Sequence, residues 1–201
     1  MTQPDLRLAA RRRVYSGWNT IDEIDVIVTD AEGGSVQHVR EVIDHGHAVA
    51  VLPVDVERRV ALLVRQWRAA LVGSDDNPFL PEVCAGLIDE GETPEQAMLR
   101  EAEEELGVRL QNLEECGRIV VSPGCLTETI RLFLATYDES GRITDGGGVD
   151  HEGEDIEVIE MPLDNLFDAA RSGSIFDAKT LVLVQTLMLR GGLDRIDGIA
   201  L

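Results

Sequence analysis

The stretch "GLIDEGETPEQAMLREAEEELGV" (86–108) decides how this chain is read. Thr93 suits an N-cap, Pro94 suits the first helical position, and Gln96 completes a capping box. Gly107 suits the left-handed residue that ends a helix. A helix is therefore predicted to start after Thr93 and stop before Gly107. At about 100° per residue, Glu101, Glu104 and Glu105 share one stripe and Glu103 points elsewhere. Leu99, Ala102 and Leu106 form the expected core-facing stripe. Carboxylates in a last turn meet the negative end of the macrodipole, costing about 0.3–1 kcal/mol each. Like charges at i,i+4 add about 0.2–0.5 kcal/mol. A solvated acidic face is the ordinary alternative. Three on one stripe point instead to a compensating cation, and oxygen donors favour Mg²⁺ or Mn²⁺ over zinc.

Outward from this helix the pattern is mostly strand. "NTIDEIDVIVTD" (19–30) partly alternates, "DAEGGS" (30–35) is a turn and "VQHVREVIDHG" (36–46) is its partner, so residues 14–46 read as a hairpin or small sheet. "AVAVLPV" (48–54) and "RVALLVRQW" (59–67) are apolar, β-branched runs of the buried type, and "VGSDDNPF" (72–79) is a loop. "LEECGRIVVSPG" (113–124), "ETIRLFLATYD" (128–138) and "DIEVIEM" (155–161) give further strands, with an acidic, Gly-rich loop at 139–155. "PLDNLFDAARSG" (162–173) and "DAKTLVLVQTLMLRGG" (177–192) read as helices. Strands before and after a central helix, with two helices at the end, make a mixed α/β sheet rather than a regular βαβ repeat.

The 201 residues suit one α/β domain with a small extra element. No apolar run approaches the roughly 20 residues of a membrane helix. The basic start "MTQPDLRLAARRRVYSG" is not followed by an apolar signal region. Cys84, Cys116 and Cys125 are odd in number and irregularly spaced, against a disulfide framework or a zinc site. Cys84 and Cys116 read as small core residues. A cytoplasmic protein is expected. The net charge of −20 should repel nucleic acid and anionic membranes, so neither is expected as a partner.

The stretch 86–108 also resembles the Nudix box at every defined position. Gly86 is followed by Glu92, then by Arg100, Glu101 and the small apolar Ala102, then by Glu104, Glu105, Gly107 and Val108. The likeness extends over nearly the whole chain to the subgroup of ADP-sugar and GDP-mannose pyrophosphatases. It is carried by "HVREVIDHG" (38–46), "LLVRQWR" (62–68), "PEVCAGLID" (81–89), "SPGCLTE" (122–128), "GGGVDHEGEDIEV" (146–158) and "IFDAKTLVLV" (175–184). The glycine-rich loop and "DAKT" resemble the GDP-mannose branch most closely.

The resemblance implies an α/β (α+β) Nudix fold, a mixed β-sheet sandwiched by helices, with a small N-terminal antiparallel sheet. Residues 1–46 would be a dimerisation element, its sheet exchanged across a homodimer, and 47–201 the hydrolase domain. It implies Mg²⁺-dependent hydrolysis of a nucleotide sugar, GDP-mannose first and ADP-ribose second. Other classes are a nucleoside-triphosphate hydrolase and a non-catalytic ligand-sensing module, which loss of box carboxylates would favour. Glu101, Glu105 and the Ala85 carbonyl would bind metal, with Glu104 adjacent. Arg100 and Glu92 would pair and hold the loop against the helix. Glu154 would close over the substrate as metal ligand or general base. The loop is longer than its counterpart, so Glu152 and Asp155 stay open beside it. Arg40, Glu41, Arg68, Glu128 and Lys179 would contact substrate, and Trp18, in place of a tyrosine, would stack on the base. Val39 stands where GDP-mannose enzymes tend to carry lysine. The plainer alternatives are interface packing for Trp18, a structural ion pair for Arg68 and a surface position for Lys179.

Overall fold

The structure, a computed structural model, describes residues 3–149 and 155–191. It contains strands β1 (Asp5–Ser16), β2 (Thr20–Thr29), β3 (Ser35–Asp44), β4 (Ala48–Asp55), β5 (Val60–Trp67), β6 (Phe79–Glu82) and β7 (Cys84–Leu87). Helix α1 (Pro94–Glu105) follows, then β8 (Gln111–Val120), β9 (Thr129–Thr136), β10 (Glu157–Pro162), α2 (Leu163–Ser172) and α3 (Ala178–Leu189). The chain forms two compact units, Met1–His47 with Val120–Thr129, and Ala48–Ile119 with Ile130–Leu201.

In the larger unit, β4 is buried along its whole length because both faces of its sheet are covered. The sheet runs β10-β5-β4-β9-β8, with β6 beside β5 and β7 beside β4. It is mixed: β4 runs parallel to β9 and antiparallel to β5 and β7. Alternate residues serve opposite faces. Ala48, Ala50, Leu52 and Val54 join Leu132 and Leu134 against Leu163, Leu166, Leu183 and Leu187 of α2 and α3. Val49, Val51, Phe133 and Ala135 join Ala97, Met98 and Ala102 of α1. The expected sandwich of a mixed sheet between helices is thus observed. No helix among the described residues is long and apolar enough to cross a membrane.

The smaller unit holds the antiparallel sheet β1-β2-β3. Its first strand was read in the sequence only as a basic start. The charges that hid its pattern are its cross-strand partners: Arg11 and Arg13 both donate to the buried Asp22, and Arg12 pairs with Glu23 at 2.6 Å. The Arg13 hydrogen bond, with Arg11 beside it, outweighs burial and holds the Asp22 carboxyl below its usual range. The segment 120–129 folds along the end of β3, where Ile43 donates to Cys125 O at 2.8 Å and Thr127 donates to Ile43 O at 3.0 Å.

Helix α1 begins as its sequence predicts. Thr93 Oγ1 accepts from Gln96 N at 3.3 Å and Gln96 Oε1 accepts from Thr93 N at 2.9 Å. Loss of this cap in Thr93→Ala should cost about 1 kcal/mol, read as a lower urea midpoint at unchanged slope. One expectation for this helix is corrected. Leu99 is 43% exposed, and the buried line runs through Met98, Ala102 and Glu105 with Ala97 and Leu106 beside it. The i, i+4, i+7 series that faces the sheet ends on a carboxylate, which turns Leu99 outward.

Candidate active site

The glutamates of α1 occupy different environments. Glu105 is only 2% exposed and accepts the Ala85 N–H on Oε2 at 3.1 Å. Glu101 lies against Gly86 so closely that a Cβ there would overlap its carboxylate. Glu104 stands a turn from Arg100, and Glu103 points away, with Arg109 as its neighbour at 3.5 Å.

Arg100 ties the group together. Its Nη1 donates to Glu101 Oε1 at 2.8 Å and Glu104 Oε2 at 3.0 Å. Its Nε and Nη2 grip both oxygens of Glu92 at 3.0 Å, and Nη2 also reaches the Leu87 carbonyl at 3.0 Å. The Glu92 hydrogen bonds are the largest of the effects that raise the Arg100 pKa, and they hold Glu92 low in turn. The planar fork suits this bidentate role. The guanidinium is therefore the counter-cation of Glu101 and Glu104 here, and it fastens the loop before α1 to the helix.

The helix end is closed by the glycine-rich loop. Gly147 N donates to Glu105 O at 2.9 Å and Gly148 N to Glu104 O at 3.1 Å, satisfying carbonyls that a helix leaves unpaired. Gly146 has φ +73°, and a Cβ there would stand 2.5 Å from Glu105 O, so both backbone and space require glycine.

Two further predicted contacts meet at a residue that sequence reasoning passed over. Arg68 donates from Nε to Glu82 Oε1 at 2.6 Å and from Nη2 to Oε2 at 2.9 Å. Lys179 closes a short bond to the same Oε2 and reaches Asp177 at 2.9 Å. Glu82 stands in the apolar run "FLPEVCAGL" (79–87); a lone acid in such a run was the available signal.

In the smaller unit Trp18 is 77% exposed and stacks on His45, with ring centroids 5.3 Å apart and planes at 18°. His45 Nε2 lies 3.3 Å from Glu128 Oε1. Arg40 and Glu41 lie on β3, and Arg40 Nη1 donates to the neighbouring Val39 carbonyl at 2.8 Å. Glu152 and Glu154 lie outside the described residues, and Asp155 is exposed.

Among the described residues no three carboxylate, imidazole or thiolate groups stand close enough, as placed, to hold a metal ion. The donor chemistry nevertheless fits one. Glu101, Glu104, Glu105 and the Ala85 carbonyl offer only hard oxygen, and a buried carboxylate at the negative end of a helix gains from a divalent cation.

A helix whose Glu101 and Glu104 are aligned by one arginine, packed on a mixed sheet above a glycine that admits Glu101, has the form of a Nudix hydrolase. The chain belongs to this family, whose domain model matches residues 44–182. Nudix hydrolases generally need a divalent cation such as Mg²⁺. Among its relatives, a GDP-mannose pyrophosphatase of Cronobacter sakazakii is 44% identical over 168 residues, covering 83% of this chain and 86% of that protein. One of Salmonella arizonae is 39% identical, covering 84% and 87%, and one of Escherichia coli O1:K1 / APEC is 35% identical, covering 94% and 97%. A crystal structure described as an ADP compounds hydrolase shares the fold, with a TM-score of 0.70 at 21% identity, over 95% of this chain and 97% of that one.

Proposed function

We propose that this protein hydrolyses the pyrophosphate bond of a nucleotide sugar, GDP-mannose first, giving GMP and mannose 1-phosphate. The observation that carries this reading is end-to-end likeness to GDP-mannose pyrophosphatases, which at 94% coverage takes in the N-terminal sheet as well as the hydrolase core.

In this reading Glu101, Glu104, Glu105 and the Ala85 carbonyl would hold Mg²⁺, or Mn²⁺, with Glu154 completing the set. When bound, the cation offsets the charge of the diphosphate and acidifies a water for attack on phosphorus. The chain's own groups do the rest. Arg100 keeps Glu101 and Glu104 aligned, and the Ala85 N–H fixes one oxygen of Glu105. Arg68 and Lys179 offer N–H donors to phosphate or sugar oxygens. Glu154 is assigned the proton from water on the family pattern alone.

Trp18, Arg40, Glu41 and Glu128 would receive the base and sugar, serving a partner's site where the 1–46 sheet exchanges across a homodimer. Exposed Leu6, Leu8, Val14, Val36 and Val39 on the N-terminal sheet support a covered, dimeric state. Three free cysteines support a reducing, cytoplasmic setting.

Phosphate released through a coupled phosphatase from GDP-mannose, ADP-ribose and a nucleoside triphosphate, with and without Mg²⁺, tests this reading. GDP-mannose is expected to turn over fastest. Faster hydrolysis of ADP-ribose would move the assignment to AMP and ribose 5-phosphate, which the loss of a lysine at Val39 makes the nearest rival. No turnover on any substrate would make the chain a ligand-binding module.

A further inference from the structure

We propose that Glu82 is a positioning residue that brings Arg68 and Lys179 together and presents them to the diphosphate-linked substrate. The inference rests on the reading above, in which those two cations touch substrate; neither that reading nor the family pattern gave Glu82 a part.

Glu82 ends β6 with a side chain 3% exposed, and both of its oxygens are in use. Oε1 and Oε2 take the two-pronged fork of Arg68, and Oε2 also takes the Lys179 ammonium. Burial by itself pushes this carboxyl up. The Arg68 hydrogen bonds and the Lys179 charge overcome that and bring it below its usual range, so it stays ionised. An ionised carboxylate this deep is costly without partners, and removing one partner of such a group is strongly destabilising.

Glu82 is the carboxylate that both cations bind directly, while Asp177 holds only Lys179, at 2.9 Å. Arg68 follows β5, while Lys179 lies in the first turn of α3, 97 positions beyond Glu82. Side by side without an anion they would repel. Glu82 therefore draws them to one place and removes one unit of their combined positive charge. Donors remain for a ligand: Arg68 Nη1 has no protein partner among the described residues, and its side chain is 40% exposed.

The same short run of chain fixes the neighbouring parts. Val83 N donates to Thr180 Oγ1 at 2.8 Å, and Thr180 N to Asp177 Oδ2 at 2.8 Å, so the start of α3 is fastened next to Glu82. Three residues after Glu82, Ala85 N–H holds Glu105. Burial lowers the Arg68 pKa, and the Glu82 hydrogen bonds and charge outweigh it, with the Glu105 charge adding to them. The run from Glu82 at the end of β6 to Ala85 in β7 thus touches both the cations and the acid.

The test is steady-state hydrolysis of the nucleotide sugar turned over fastest by the wild type, in Glu82→Gln, in Arg68→Ala/Lys179→Ala, and in the triple variant. Cations that bind ground state and transition state alike act on KM. Glu82→Gln is expected to raise KM about tenfold with kcat within about threefold, equivalent to roughly 1.4 kcal/mol of binding. In the Arg68→Ala/Lys179→Ala background the same substitution should change KM no further, because its effect passes through those two side chains. An unchanged KM in Glu82→Gln, or an equal rise in the triple variant, would overturn the proposal while leaving the pyrophosphatase reading intact. Should Glu82→Gln not fold, Glu82→Asp keeps the charge but shortens the reach. It should raise KM by a smaller factor, and a wild-type KM there overturns the proposal equally. A wild type inert toward every nucleotide sugar would defeat the functional reading first, and this inference with it.

Discussion

Glu105→Gln should abolish metal-dependent hydrolysis and leave the protein folded. The side chain is the most buried of the α1 glutamates, and it is fixed by the Ala85 N–H rather than by Arg100. Glutamine keeps an oxygen for that N–H and the same volume, so packing survives. Removing the charge also relieves repulsion along the stripe and at the helix C-terminus, each worth a few tenths of a kcal/mol. Stability should change by no more than about 1 kcal/mol, or about 2–4 °C in Tm. The loss in kcat should reach roughly 10²–10³-fold, the scale of deleting one preorganised electrostatic partner. Turnover near wild type in a folded variant would remove Glu105 from the site.

Gly86→Ala should be nearly as damaging for a steric reason. Gly86 pairs with Val49 across β7 and β4 and lies directly under Glu101. A methyl group there occupies the space of the Glu101 carboxylate, which must swing away from Arg100 Nη1. Overpacking of this kind costs about 1–3 kcal/mol, and displacing a catalytic group by about 1 Å can cost 10²-fold in rate. We expect a fall in kcat/KM of that order together with a Tm lowered by several degrees. Wild-type kcat/KM in this variant would mean that Glu101 does its work from another position.

Much of the fold could be read locally. Thr93, Pro94, Gln96 and Gly107 mark α1 because caps act within one turn of chain. The unbroken apolar runs of β4 and β5 announce a sheet covered on both faces. Charge hid β1, since its arginines make sense only beside the acids of β2. Strands β6 and β7 escaped notice because four residues, one of them Pro81, are too short for a period of two to show. Leu99 was misplaced because the helical period says which residues share a face, not which face is turned inward.

The site divides along the same line. Sequence alone put three carboxylates on one helical stripe and pointed to a compensating cation beside the alternative of a solvated face, because spacing and the helix dipole are properties of the local chain. Tertiary structure decided that Arg100 meets Glu101 and Glu104 here, that Glu105 is sunk beneath them, and that Arg68 and Lys179 share Glu82. The physical reason is range. A periodicity or a cap is decided within a few residues, whereas the partner of a buried charge is whatever the packed sheet and helices bring beside it, here from 97 positions away.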